Sequence, residues 1–233
     1  MLTIGLLGGM SWESTESYYR ALNEGVKQAL GGLHSAKVAM VSVDFAEIET
    51  MQHEGRWDDA GEVLANAARQ VERAGADFLL IATNTMHKVA PQVEAAIDIP
   101  LLHIADATAE RLVADGITRV GLLGTRFTME QDFYKSRLTE HYGIEVRVPD
   151  EARRDYVHRV IFDELCLGSI EPASKDGFLD VIGSLHADGA QAVILGCTEI
   201  AMLVKATDTD VPLYDTTALH AAAAVGRALY ESE

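Results

Sequence analysis

The sequence predicts an α/β fold made of two related halves with mainly parallel sheets. Two observations predict it. Short apolar runs bounded by Gly, Asp or Pro alternate with amphipathic stretches of helical length. The same short motifs also occur twice, in the same order, along the 233 residues. Alternating strands and helices are typical of parallel sheets covered by helices.

The predicted elements follow from these apolar patterns. Eight runs are predicted strands buried on both faces: Thr3 to Leu7, Lys37 to Val43, Phe78 to Ala82, Pro100 to Ile104, Val120 to Leu123, Glu145 to Val148, Ala192 to Leu195 and Pro212 to Tyr214. Three amphipathic stretches are predicted helices: Gly61 to Ala74, Asp106 to Asp115 and Ala173 to Ala187. A further helix should open at Thr128 with a capping box completed by Gln131, and Ser11 should cap the helix after the first strand.

The internal repeat divides the chain. The first motif, at residues 4–8, recurs at 120–124, the second, at 75–77, recurs at 189–191, and the third, at 99–101, recurs at 211–213. The offsets are 116, 114 and 112 residues, although such short patterns could recur by chance in any α/β protein. We assign residues 1–115 and 208–233 to an N-terminal domain completed by the C-terminal helix. Residues 116–207 form the second domain.

Composition excludes several classes of partner. A net charge of −17 repels the phosphates of nucleic acid, so no nucleic-acid partner is expected. An anionic ligand would therefore be held by backbone N–H groups and hydroxyls against the overall field. The two cysteines are too few for a disulfide framework, which favours a reduced, cytoplasmic protein. The apolar runs are too short to span a bilayer, so no membrane association is expected.

The repeat makes Thr83 and Cys197 equivalent positions, each after a buried strand at its carboxyl end. Open α/β sheets bind ligands at this edge, and two such ends facing each other across a cleft would surround a small anion. We expect Cys197 to lie at a helix N-terminus with a lowered thiol pKa, as a base or nucleophile. The alternative is a small buried packing residue.

Other candidate motifs are weaker. The segment from Gly5 to Ser11 is rich in glycine but is not a dinucleotide-binding fingerprint. It is interpreted as a tight turn that approaches the ligand. His87 lies beside the first candidate site, and a structural role is slightly favoured over a catalytic one. Cys166 falls in an apolar helical pattern and is assigned to packing. No residues have metal-ligand spacing, so no metal is predicted.

Five motifs together resemble the aspartate/glutamate racemase family, and most closely its L-aspartate/glutamate-specific amino-acid racemase branch. The resemblance covers essentially the whole chain. The motifs are Gly-Leu-Leu-Gly-Gly-Met-Ser-Trp-Glu-Ser-Thr from Gly5, Thr-Asn-Thr-Met-His-Lys from Thr83, His-Ile-Ala-Asp-Ala-Thr from His103, Leu-Leu-Gly-Thr-Arg-Phe-Thr-Met-Glu-Gln-Asp-Phe-Tyr from Leu122 and Gly-Cys-Thr-Glu-Ile from Gly196.

The resemblance implies a cofactor-independent, PLP-independent racemase of L- and D-aspartate, glutamate or both. It also implies two pseudo-symmetric three-layer α/β domains, with the active site in the cleft between them, and a homodimer. Cys197 would act on the L-enantiomer, and Thr83 would occupy the paired catalytic position. The implied substrate-binding residues are Met10, Gln52, Asn84, Thr85, Thr198 and Glu199.

The sequence departs from the majority pattern of that family at two positions. Thr83 stands where most members have a first cysteine, and Cys166 stands where some have a substrate-binding lysine. The first departure is shared by the branch named above, so we expect a kinetic preference for the L-enantiomer. Two alternatives remain: a single-cysteine decarboxylase of malonate-type substrates, and a non-catalytic dicarboxylate-binding protein.

Overall fold

The computed structural model describes residues 1–230 and divides the chain into two compact units. Unit 1 comprises Met1–Ile104 and the C-terminal segment that begins at His220. Unit 2 comprises Ala105–Leu219. Each unit is an α/β structure built on a wholly parallel sheet, as the alternating apolar runs predict.

Unit 1 has a three-stranded sheet in the order β2-β1-β3. Its elements are β1 (Ile4–Gly8), α1 (Trp12–Leu30), β2 (Val38–Ser42), α2 (Phe45–His53), α3 (Trp57–Arg73), β3 (Phe78–Ile81), a 3₁₀ turn (Thr85–Val89) and α4 (Ala90–Glu94). Side chains of β3 alternate between two buried clusters: Phe78 and Leu80 pack with α1 and the C-terminal helix, and Leu79 and Ile81 pack with α3. Helices therefore cover both faces of this sheet.

Unit 2 has a four-stranded sheet in the order β5-β4-β6-β7. Its elements are α5 (Ile104–Ala114), β4 (Arg119–Gly124), α6 (Arg126–Glu130), α7 (Asp132–Ser136), a π-helical turn (Arg137–His141), β5 (Glu145–Arg147), α8 (Glu151–Asp163), a 3₁₀ turn (Leu165–Leu167), α9 (Pro172–Ala187), β6 (Ala192–Gly196), α10 (Ile200–Leu203), a 3₁₀ turn (Ala206–Asp208) and β7 (Leu213–Asp215). The C-terminal helix α11 (Thr216–Tyr230) begins in unit 2 and belongs to unit 1 from His220 onward. Strands β4 and β6 pack against α8 and α9 through a large apolar cluster. The chain connections between the units run through α5 and α11.

The repeat corresponds to the same strand arrangement in both sheets. In unit 1 Gly5 pairs with Leu79, and in unit 2 Gly121 pairs with Val193. A Cβ on Gly5 would lie 2.7 Å from Val71 Cγ1, and one on Gly121 would lie 2.8 Å from Leu185 Cδ1. These two glycines are therefore needed for the close approach of α3 to β1 and of α9 to β4.

The boundaries of the units differ from those of the predicted domains at both places where the chain passes from one unit to the other. The sequence placed them at 115/116 and 207/208, whereas the units divide at 104/105 and 219/220. Helix α5 belongs with unit 2 because Asp106 accepts two hydrogen bonds from Arg137, at 2.6 and 2.7 Å. Strand β7 belongs there because it pairs with β6. Residues 231–233 of the predicted first domain lie outside the described residues.

Several element predictions need correction. The predicted strand from Pro100 to Ile104 is reduced to a single bridge between Leu79 and Leu101. Strands β2 and β5 are edge strands with partly exposed side chains, and are not buried on both faces. Helix α3 begins at Trp57, four residues before the predicted start, because the exposed Asp58 and Asp59 in its first turn interrupt the apolar pattern.

The two predicted helix caps have different outcomes. Helix α6 begins at Arg126, and its cap is Thr125, whose side chain accepts a hydrogen bond from the backbone N–H of Thr128. Thr128 is therefore inside that helix, and the predicted capping box is wrong. Ser11 caps α1 as predicted, accepting a hydrogen bond from the N–H of Ser14.

Candidate functional site

The first part of the candidate site is the turn that follows β3 in unit 1. Thr83 is half-buried, while Asn84 and Thr85 are buried. Ser14, in the first turn of α1, donates from Oγ to the carbonyl of Ala82 at 3.1 Å. The carbonyl of Thr83 accepts a hydrogen bond from His87 Nδ1 at 2.7 Å. Side chains from outside the strand therefore hold two successive carbonyls at its carboxyl end.

Two further predicted binding residues lie in the same unit. Gln52, buried near the end of α2, donates from Nε2 to Met86 Sδ at 3.0 Å, which links α2 to the turn containing Thr85. Met10 is buried and belongs to the same apolar cluster as Met86. The structure thus brings Gln52 against the turn after β3 and places Met10 in the apolar cluster beside it.

The second part of the candidate site is the turn that follows β6 in unit 2. Cys197, Thr198 and Glu199 are all buried there. Glu199 Oε2 accepts hydrogen bonds from Cys197 Sγ at 3.0 Å and from Thr198 Oγ1 at 2.5 Å. Thr216, at the start of α11, donates to the carbonyl of Leu195 at 2.9 Å and fixes the strand end. A carboxylate in this position can accept the thiol proton.

Cys197 does not have the environment that the sequence predicted. The expected lowered thiol pKa is wrong: burial raises the pKa of Cys197 well above its usual range, and the negative charge of Glu199 raises it further. The expected helix N-terminus is also absent at Cys197, because α10 begins only at Ile200 and has four residues. In this arrangement the Cys197 thiol is a hydrogen-bond donor to the Glu199 carboxylate, and both burial and the neighbouring charge oppose its ionisation.

The corresponding position in unit 1 also lacks a long helix at the strand end. Thr83 precedes a 3₁₀ turn, and the helix that follows, α4, begins at Ala90. The polar groups that these two turns carry are their backbone N–H groups and the hydroxyls of Thr83, Thr85 and Thr198, of which the Thr198 hydroxyl donates to Glu199 Oε2. The predicted helix dipoles are not part of that set.

Sequence reasoning missed the groups that hold these turns. Ser14 and Thr216 anchor the strand ends through hydroxyls on other elements, and only tertiary structure identifies such partners. Glu199 was predicted as a binding residue, and its contact with the thiol follows from its spacing two residues after Cys197. His87 accepts a hydrogen bond from the backbone N–H of Ile104 in addition to donating to Thr83, in agreement with the structural role favoured for it.

Within residues 1–230, no group of three or more His, Cys, Asp or Glu side chains is arranged to hold a metal ion. No helix in that part of the chain is both long enough and apolar enough to cross a membrane.

Comparisons with known proteins identify relatives over nearly the full length. The family model for Asp/Glu/hydantoin racemases matches residues 7–224. A Yersinia pestis crystal structure, provisionally called an Asp/Glu racemase, is 56% identical with a TM-score of 0.91, covering 98% of this chain and 100% of that one. An aspartate racemase homologue from Pyrococcus horikoshii is 33% identical with a TM-score of 0.84, covering 98% and 99%. The broad specificity amino-acid racemase RacX of Bacillus subtilis is 21% identical over 98% of this chain and 100% of that protein.

Proposed function

Because this chain belongs to the Asp/Glu/hydantoin racemase family, we propose that it interconverts the L- and D-forms of aspartate, glutamate or both, with a kinetic preference for the L-enantiomer. The observation that carries the proposal is the buried thiol of Cys197, 3.0 Å from Glu199 Oε2 at the carboxyl end of β6. The equivalent position of the other sheet carries Thr83, which has no comparable acid-base chemistry. A racemase with this pair is chemically asymmetric.

In the proposed reaction Glu199 accepts the thiol proton, and the Cys197 thiolate then takes the α-proton of the L-amino acid. The electron pair of the broken C–H bond is delocalised into the α-carboxylate. The N–H groups of Asn84, Thr85 and Thr198 and the hydroxyl of Thr85 stabilise that charge. A proton delivered to the opposite face from the side of Thr83, directly or through water, gives the D-amino acid. Solvent then replaces the proton lost on the Thr83 side and takes up the one held by Glu199, which restores the starting state. No redox change or cofactor enters this scheme.

The preference for L arises because only one of the two positions carries a thiol. An alcohol ionises far less readily than a thiol, so deprotonation of the D-enantiomer from the Thr83 side is slow. The equilibrium constant between enantiomers is one by symmetry. The asymmetry must therefore appear in exchange kinetics and not in the final mixture.

The test follows α-proton loss by NMR in heavy water for L- and D-aspartate and L- and D-glutamate. We expect exchange into the L-substrate to be much faster than into the D-substrate, with slow appearance of the D-product. Cys197→Ser should abolish exchange, whereas Cys166→Ser, which removes the other thiol, should retain it. Full exchange in Cys197→Ser would contradict the assignment.

Other readouts of the same protein separate the alternatives. Carbon dioxide release from disubstituted malonates, without amino-acid exchange, would identify a decarboxylase. Tight binding of L-aspartate without exchange would identify a binding protein. The homodimer is part of this proposal, supported by the family resemblance, and light scattering on the purified protein should give a particle of two chains.

A further inference from the structure

Unit 1 contains a buried cluster of three histidines and one tyrosine that the proposed chemistry does not use. His87, His103 and His220 are at most 4% exposed, and Tyr18 is fully buried. The ring centroid of His87 lies 4.4 Å from that of His103 and 6.1 Å from that of His220. Tyr18 Oη lies 2.8 Å from His220 Nδ1. Burying several imidazoles together is costly unless their ring nitrogens are hydrogen-bonded.

The backbone determines which nitrogen of His87 carries the proton. Nε2 lies 3.2 Å from the N–H of Ile104, which can only donate, so Nε2 must accept. Nδ1 lies 2.7 Å from the carbonyl of Thr83, which can only accept, so Nδ1 must donate. Both bonds are made together only by neutral His87 with its proton on Nδ1. Protonation of Nε2 would direct a second N–H at that of Ile104.

The same reasoning applies to His220. Its Nε2 lies 2.8 Å from the carbonyl of Leu102, so Nε2 donates, and in the neutral ring Nδ1 then accepts from the hydroxyl of Tyr18. These bonds bring together the segment from Leu102 to Ile104, where the chain leaves unit 1, and His220, where the chain returns to it. The turn carrying Thr83 is thus joined through His87 to the first of these crossings.

We propose that His87 is a positioning residue for the reaction: its Nδ1–H holds the carbonyl of Thr83 and so fixes the backbone from which the Thr83 hydroxyl acts. Ile104 holds the ring in that orientation by occupying Nε2. The inference rests on the proposed function, since it assigns Thr83 to protonation of the second face. Its specific consequence is that loss of the Nδ1 bond impairs D-product formation more than it impairs α-proton exchange at Cys197.

Two substitutions of His87 each remove one of its two backbone hydrogen bonds and keep the other. Asparagine places an N–H donor near the position of Nδ1, so His87→Asn should keep the bond to Thr83 and lose the one to Ile104. Glutamine places an oxygen acceptor near Nε2, so His87→Gln should keep the bond to Ile104 and lose the one to Thr83. Tyr18→Phe is the matched control, because it removes a hydrogen bond of the same cluster that does not involve Thr83.

The experiment measures the ratio of D-product formed to deuterium exchanged into recovered L-substrate, together with the melting temperature of each variant. We expect the ratio to fall about tenfold or more in His87→Gln, as for a displaced reacting group. It should stay within about twofold of wild type in His87→Asn and Tyr18→Phe. A ratio in His87→Gln equal to that of wild type would overturn the inference. So would equal falls in all three variants, since they would indicate a merely structural role.

A measurement on the unaltered protein covers the case in which His87→Gln does not fold. Nitrogen NMR of histidine side chains should show His87 neutral and protonated on Nδ1 at the pH of the assay. A proton on Nε2 there would overturn the inference. Absence of any exchange in the wild-type protein would instead overturn the proposed function, so the two failures are distinguishable.

Discussion

At the scale of single residues, the chemistry of this protein depends on how Cys197 is surrounded. Its thiol is buried and donates to Glu199, so both desolvation and a neighbouring negative charge oppose formation of the thiolate. A thiol placed in this way is a proton donor at rest. It becomes a base only after its proton has moved to the carboxylate, which makes Glu199 part of the same acid-base unit.

The raised thiol pKa predicts slow alkylation at neutral pH. In a Cys166→Ala background, iodoacetamide should modify Cys197 with a pH midpoint above the usual range for thiols, because only the thiolate reacts. Burial is the larger cause of the raised pKa, and Glu199→Gln removes the charge that adds to it, so the midpoint should move to lower pH. Glu151→Gln removes a charge from an exposed site and is the control. An unchanged midpoint in Glu199→Gln would show that the charge of Glu199 does not act on the thiol.

At the scale of elements, the connection from β1 to α1 is fixed by close backbone contact. Gly9 has φ +93°, and its N–H donates to Thr15 Oγ1 at 2.8 Å. A Cβ at Gly9 would lie 2.1 Å from the carbonyl oxygen of Val43, which follows β2. The glycine-rich opening therefore brings two strand ends together. This is a packing requirement, in agreement with the tight turn that the sequence analysis favoured over a dinucleotide site.

The contact at Gly9 predicts a large cost for adding one methyl group. Gly9→Ala should lower the free energy of unfolding by at least ~2 kcal/mol more than Gly31→Ala, as measured by denaturant titration. Gly31 is the matched control because it also has positive φ, +73°, but has open space around its Cβ position. Gly31→Ala should lose only the backbone term, about 1–3 kcal/mol for a non-glycine residue at φ +73° and ψ −175°. Equal losses would show that the backbone near Val43 moves easily.

At the scale of the whole molecule, the net charge of −17 opposes the approach of any anion. The hydrogen-bond donors named at the candidate site attract an anion only at contact distance. The negative charge of the whole chain repels the anion out to about one Debye length. That length falls from about 30 Å at 0.01 M salt to about 8 Å at 0.15 M. Added salt should therefore help an anionic substrate to bind.

The charge predicts that salt favours the reaction of anionic reagents over that of neutral ones. The KM for L-aspartate should fall several-fold as ionic strength rises from about 0.01 to 0.15 M. The ratio of alkylation rates of Cys197 by iodoacetate and by iodoacetamide should rise over the same range, in the Cys166→Ala background. The neutral reagent is the control for salt effects on the thiol itself. A KM that rises with salt would indicate that local cations outweigh the overall field.

The sequence by itself determined the fold class and the equivalence of the two strand ends. Apolar runs alternating with helices predict parallel sheets whose two faces are covered by helices. The repeat predicts equivalent strand pairs in the two sheets, and the structure has them: Gly5 pairs with Leu79, and Gly121 pairs with Val193. The spacing of apolar residues was sufficient to predict the fold class, because strands and helices bury their apolar side chains at different spacings. It could not separate the true strand β7 from the single bridge at Leu101, since both carry similar motifs.

Only the tertiary structure decided where the units divide and what surrounds each reactive group. The boundaries at 104/105 and 219/220 depend on Arg137 pairing with Asp106 and on β7 pairing with β6, which are contacts between distant parts of the chain. The raised pKa of Cys197 depends on burial, and local sequence favoured the opposite sign. Hydrogen bonds and desolvation act through space, so the residues that create them leave no pattern around the residue they act on.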